Sequence, residues 1–149
     1  MKYFNEKVKI SGVVLSGGND IGEFKQRDKL EKQILTFCKK KKIPVLGICR
    51  GMQMMATYEK IKLVKIKNHV RTRNNLYNKE KKYVQNVNSY HNWTIKKCPK
   101  NYEVLHYAED NSIESIVHKT LKWEGWMWHP EREATYNKSD LKRLKNLFG

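Results

Sequence analysis

The sequence predicts an α/β fold built on a parallel sheet, and three observations carry that expectation. Two short apolar runs, Gly12–Leu15 and Val45–Ile48, each lead into a glycine-bearing turn and read as buried strands. A helical pattern lies between them. A second helical pattern, 50–59, follows the later run. Strand, helix, strand, helix in that order is how parallel strands and their crossovers are written in a chain.

The first helix is expected from about Lys25 to Lys42. Its apolar residues Leu30, Ile34, Phe37 and Cys38 fall on one helical face. Pro44 ends it, and Val45-Leu46-Gly47-Ile48 resumes the sheet. The second helix should turn Met52, Met55 and Ala56 inward. Beyond residue 60 the strand signals weaken, with candidates at Leu63–Ile66, Tyr83–Val87, Glu103–His106, Ile113–His118 and Trp123–Trp128. The polar, basic stretch 68–82 reads as a loop. A closing helix is expected with Ser139 as its N-cap and Leu141, Leu144, Leu147 and Phe148 buried.

Composition bounds the function. The chain has 149 residues, 39% hydrophobic and 11% aromatic, enough for one domain with a real core. No apolar run approaches the ~20 residues of a membrane span, and MKYFNEKVKI has no signal-peptide core. Cys38, Cys49 and Cys98 are an odd, scattered set, which speaks against a disulfide scaffold or a CxxC zinc site and fits a reducing cytoplasm. His69, His91, His106 and His118 show no ligand spacing, so no metal and no cofactor are expected; His69 reads as a loop residue.

The net charge is +16 and is uneven: residues 32–79 hold 13 Lys or Arg and one acid, Glu59, a local +12. Such a field attracts anions. The run at 39–42 closes a helix, where cations complement the dipole. Aromatics are not interleaved with the basic residues, so an anionic small molecule fits better than nucleic acid.

The sharpest feature is Gly47-Ile48-Cys49-Arg50-Gly51, a G-x-C-x-G turn between a buried strand and a helix. It has the form of a nucleophile elbow with cysteine in place of serine. The flanking glycines remove side chains that would clash in so tight a turn. The helix N-terminus behind Cys49 should favour its thiolate. A base is available in Trp128-His129-Pro130-Glu131. Pro130 biases His129 toward extended backbone, where residues two apart project to one side. Glu131 can then fix the His129 tautomer and stabilise its imidazolium. Glu133, two residues on, reads as a surface residue. Cys49, His129 and Glu131 together make a candidate triad. The Arg50 N–H is the natural oxyanion donor. The turn Ser16-Gly17-Gly18 offers a second backbone, and also reads as an ordinary tight turn.

SGGND at 16–20, GICRGMQ at 47–53, VNSYH at 87–91 and WHPE at 128–131, in that order, resemble the class I glutamine amidotransferases. Within that group they are most similar to the γ-glutamyl-γ-aminobutyrate hydrolase branch. AEDNSIESI at 108–116 adds to the resemblance, which spans about 12 to 133. It implies a flavodoxin-like, doubly wound, mostly parallel sheet and hydrolysis of a γ-glutamyl amide through a thioester. Cys49 would attack, His129 would protonate the leaving amine and Glu131 would orient His129. Gly18 and Arg50 would supply the oxyanion N–H groups. Gln53 and the backbone of Ser89, Tyr90 and His91 would hold the glutamyl group. Gln53 also reads as an ordinary helix residue, and Asn88-Ser89 as a simple turn.

The chain departs from the family pattern in places. Relatives carry a further strand–helix portion before the SGG turn, whereas only about ten residues precede Gly12. The expectation is one N-terminally short domain over 1–149, with an exposed sheet edge. Trp93 stands where the branch often has Gln, so the pocket should differ, and the short segment between Ser16 and Leu30 should open the site. The leading expectation is a free hydrolase of a small anionic γ-glutamyl amide, for example one linked to CDP. The alternatives are a glutaminase that feeds ammonia to a synthase partner, or an inactive, truncated binding protein.

Overall fold

The computed structural model describes residues 9–149. The segment MKYFNEKV, where the sequence shows no signal-peptide core, lies outside them. The described chain runs β1 (Val13–Leu15), α1 (Lys25–Lys41), β2 (Val45–Ile48), α2 (Arg50–Tyr58), β3 (Val64–Lys65), β4 (Val70–Tyr77) and β5 (Tyr83–Tyr90). It continues with β6 (Trp93–Thr94), β7 (Tyr102–Tyr107), β8 (Ile113–His118), β9 (Trp123–Trp126), a 3-10 turn at Pro130–Arg132 and α3 (Lys138–Phe148). Seven strands form one sheet in the order β1-β2-β9-β8-β7-β4-β5, and β3 pairs with β6 apart from it. No helix among the described residues is long and apolar enough to cross a membrane.

Strand alternation sorts the two cores. Val45 and Trp123 face α1 and α2, packing with Leu35, Cys38, Met52 and Met55. Leu46, Ile48, Trp126 and Trp128 face the other side, with Leu144, Leu147 and Phe148 of α3. The sheet is therefore covered on both faces, the doubly wound arrangement. Trp126 and Trp128 stack 5.1 Å apart and nearly parallel.

The sheet is mixed rather than mostly parallel. Parallel pairing joins β1 to β2 and β2 to β9, while β8, β7, β4 and β5 are added antiparallel. The physical reason lies in the connections: past residue 60 no helix long enough to carry a crossover separates the strands until α3. The stretch 68–82 is not a loop. It contains β4, whose sequence VRTRNNLY buries only Leu76 and so carries no apolar alternation.

Two helix faces also differ from expectation. Leu30 is 50% exposed; α1 buries Cys38 as expected, but with Asp28, Glu31 and Leu35 beside it. The cause is a cation inside the protein, described below. Helix α3 is capped by Asn137, whose side chain accepts from the Ser139 N–H at 2.7 Å, so Ser139 is inside the helix. Leu147 is buried, but Leu141 is 40% exposed and lines an apolar cleft of about 330 Å³ with Val14 and Tyr136.

Candidate active site

The parallel strands β2 and β9 end side by side, and the sequence places its chemistry just past both ends. Cys49 caps α2 with φ 49° and ψ −104°, an uncommon backbone for a residue with a side chain. Two contacts hold it there: its N–H donates to the Trp126 carbonyl at 2.6 Å, and its carbonyl accepts from Gln53 at 3.1 Å. The flanking glycines are required by space. A Cβ on Gly47 would lie 2.6 Å from the Gly51 backbone, and one on Gly51 would collide with the Leu15 carbonyl.

Cys49 is 6% exposed, and burial pushes its thiol up to about 11. The Arg50 backbone N–H and the Arg132 charge pull it down, and Glu114 and Glu131 push it up. Burial is the largest influence on the thiol and acts against the thiolate that the helix N-terminus favours. Burial acts likewise on Cys38, raised to about 11, and on Cys98.

His129 follows β9 at the same end. Its Nδ1–H donates to Glu131 Oε1 at 2.6 Å, which leaves Nε2 with a lone pair. The ring lies against the glycine turn, where a Cβ on Gly17 would sit 2.6 Å from His129 Cε1. Tyr90 meets the ring edge-on at 5.8 Å, and the Arg132 guanidinium covers Tyr90 at 4.4 Å. Asn88 grips the His129 backbone from both sides. Its Oδ1 accepts from the His129 N–H at 2.9 Å, and its Nδ2 donates to the His129 carbonyl at 2.7 Å. Glu133 is more than a surface residue: it accepts from Asn88 and pairs with Arg73 at 3.1 Å, which lowers its carboxyl pKa.

Of the other sequence candidates, Gln53, Ser89 and His91 enter hydrogen bonds that join α2, β4, β5 and β6. Gln53 Nε2 donates to the Trp93 carbonyl at 2.9 Å, and His91 Nδ1 donates to the same oxygen at 3.0 Å. The Ser89 hydroxyl donates to the His69 carbonyl at 2.9 Å and joins β5 to the start of β4. Trp93 reaches back to the first turn, donating from Nε1 to Asp20 at 2.9 Å. Gly18 has φ 147° and packs on the Arg27 guanidinium.

A charged network behind the elbow is the main element that sequence reasoning missed. Arg50 is 2% exposed. Its guanidinium pairs with Asp28 at 2.5 Å and with Glu31. Glu31 in turn pairs with Arg27 at 2.8 Å, and Arg27 donates to the Ser16 and Gly17 carbonyls at 3.0 Å. Asp28 accepts from the Gly22 N–H at 2.8 Å. This chain of contacts ties the elbow, α1 and the glycine turn into one unit. The i, i+3 pair Asp28/Glu31 was a readable signal, since two acids one turn apart can share one buried cation.

A family model for glutamine amidotransferase class-I matches residues 2–147. A gamma-glutamyl-CDP-amidate hydrolase of Campylobacter jejuni is 40% identical over 145 residues, covering 93% of this chain and 70% of that protein. A glutamine-hydrolyzing GMP synthase subunit from Methanocaldococcus jannaschii is 30% identical, covering 97% and 77%. The fold matches a solved GMP synthase-type protein of Thermoplasma acidophilum with a TM-score of 0.80 at 22% identity, over 97% of this chain and 74% of that one. With the family model spanning nearly the whole chain, the elbow has its context: the chain belongs to the class-I glutamine amidotransferases, and its chemistry is hydrolysis of a γ-glutamyl amide bond.

Proposed function

We propose that this chain hydrolyses a small γ-glutamyl amide with an anionic leaving group, through Cys49, His129 and Glu131. The observation that carries the reading is a strained elbow bearing Cys49 at the end of β2 and, past the end of the neighbouring β9, a histidine whose tautomer Glu131 fixes. His129 Nε2 takes the thiol proton as the sulfur attacks the γ-carbonyl carbon. The carbonyl oxygen becomes an oxyanion, received by the N–H groups of Arg50 and Gly18. The C–N bond then breaks, and His129 returns the proton to the leaving nitrogen. Water, deprotonated by His129, attacks the thioester, frees glutamate and restores the thiol.

Charge supports the anionic leaving group. Arg132 lies over Tyr90, whose ring meets that of His129, and Arg27, paired with Glu31, lies against Gly18 in the adjoining turn. A phosphoramidate-linked γ-glutamyl group, of the kind named in the Campylobacter jejuni relative, suits that setting. The test is glutamate release from glutamine, γ-glutamyl-γ-aminobutyrate and a CDP-linked γ-glutamyl amide, with Cys49→Ala as control. Preference for the CDP-linked amide, lost in the variant, is expected. Equal turnover of the uncharged amides would refute the anionic assignment.

The similarity to the Methanocaldococcus jannaschii GMP synthase component over 97% of the chain favours one second reading, a glutaminase that passes ammonia to a synthase partner. In that case glutamine is the substrate, and its turnover stays low until the partner binds. Turnover of glutamine that rises on adding a synthase partner would select it.

A further inference from the structure

The antiparallel hairpin of β4 and β5 does something the scattered histidines do not announce. His69 stands just before β4 and His91 just after β5, so pairing brings their rings to 4.8 Å. Strand β8 delivers Glu114 to the same place. The three side chains are 4%, 1% and 0% exposed.

Their neighbours fix which nitrogen carries the proton. Asp110 accepts from His69 Nε2 at 2.9 Å, so the His69 lone pair is on Nδ1. The Trp93 carbonyl accepts from His91 Nδ1 at 3.0 Å, so the His91 lone pair is on Nε2. Both lone pairs face Glu114 Oε1, at 3.6 and 3.5 Å. Asn74 donates to His69 Nδ1 at 2.9 Å, and Ser112 donates to Glu114 Oε1 at 3.2 Å. His91 Nε2 and Glu114 Oε2, both buried, have no hydrogen-bond partner among the described residues. Buried polar atoms left without a partner, here His91 Nε2 and Glu114 Oε2, are costly, and a cation that also displaces the Asn74 donor from His69 Nδ1 relieves that cost.

The spacing and the donor set together point to a small divalent ion. Bonds of about 2.0–2.2 Å in a tetrahedron set neighbouring ligand atoms about 3.4 Å apart. The two imidazole–carboxylate separations here are 3.6 and 3.5 Å, and the two imidazole nitrogens, within 4.8 Å of each other, would draw together on a bound ion. Metal-binding histidines characteristically give their other N–H to a carboxylate or a backbone carbonyl, and Asp110 and Trp93 stand in those places. Two imidazoles and one carboxylate suit a zinc-type ion rather than magnesium or calcium.

We propose that His69, His91 and Glu114 bind one divalent transition-metal ion of the zinc type, with Asp110 and the Trp93 carbonyl orienting the two imidazoles. The site is independent of the Cys49 reaction. Because Gln53 of α2 donates to the same Trp93 carbonyl, occupancy also braces the contact between the hairpin and the elbow helix.

The test uses the full chain, stripped with chelator and titrated with zinc against a chromophoric competitor, and with cobalt(II) followed in the visible. The expected result is one ion per chain, cobalt bands of a four- or five-coordinate nitrogen and oxygen site, and a melting temperature that rises with zinc. Glu114→Gln should abolish saturable binding at micromolar zinc. Asp110→Asn, on an exposed turn where misfolding is not a concern, should weaken binding about 10- to 100-fold. The proposal falls if wild type shows no stoichiometric binding at micromolar zinc. It also falls if binding survives Glu114→Gln and Asp110→Asn, or if Cys49→Ser removes it, which would put the ion on the thiol.

Discussion

Arg50→Met is the sharpest probe of what holds the elbow. Arg50 is 2% exposed and sits between Asp28 and Glu31, which are 9% and 5% exposed. Removing the guanidinium leaves Asp28 with only the Gly22 N–H and Glu31 with only the partly exposed Arg27. Breaking a buried pair from one side costs about 3–5 kcal/mol, because a charge stays behind without its partner. For a chain of this size each kcal/mol moves the melting temperature by about 2–4 °C, so the variant should melt roughly 6–20 °C lower. The same reasoning makes a stricter demand on a second variant. Adding Asp28→Asn and Glu31→Gln to Arg50→Met removes the stranded charges, at the further loss of the Arg27–Glu31 pair, worth up to about 1 kcal/mol at a surface. The triple variant should therefore be more stable than Arg50→Met alone. Urea unfolding of the three proteins measures both steps. An Arg50→Met loss below about 1 kcal/mol, or a triple variant no better than the single, would refute the argument.

Three other outcomes follow from the site and its surroundings. Glu131→Gln should lower kcat by about 100-fold or more with little change in KM, since the His129 tautomer loses its anchor; Glu131 is 54% exposed, so the loss should fall short of the ~10⁴ seen for a fully buried triad acid, and an unchanged kcat would remove Glu131 from the reaction. Alkylation of Cys49 should be slow at pH 7 and climb about tenfold per pH unit toward its pKa of about 11, whereas a rate flat across pH 6–9 would show a thiolate already present. His106 is buried beside Trp128, with its pKa lowered by burial from 6.5 to about 4. The unfolded chain takes up its proton first, so stability should be full above pH 6.5 and fall by about 3 kcal/mol as pH drops toward 4; urea midpoints across that range should flatten in His106→Gln, and an unchanged slope would clear His106.

The parts of this protein legible in the sequence are those set by neighbours in the chain. The turn at Gly47–Gly51 is crowded whatever else the chain does, and the His129–Glu131 contact is local, although it forms across the 3-10 turn at Pro130–Arg132 and not by alternation in the extended segment expected. What the sequence concealed is set across the fold and by charge. Apolar periodicity turned Leu30 inward on α1, but Arg50 is 22 residues from Asp28 and 19 from Glu31 in the chain, and the burial of that cation rotates the acids to the core. Strand β4 escaped because its pairing rests on backbone and on polar contacts such as Asn75 with Asn86 at 2.8 Å, not on alternating apolar residues. That missed strand had a consequence for the site. With 68–82 read as a loop, His69 had no partner strand, and nothing linked it to His91 or to Glu114 far along the chain. The same β5 that pairs with β4 also carries Asn88, 41 residues from the His129 backbone it grips. One polar hairpin therefore accounts for both the support of His129 and the histidine–glutamate cluster, and neither could be read before that hairpin was known.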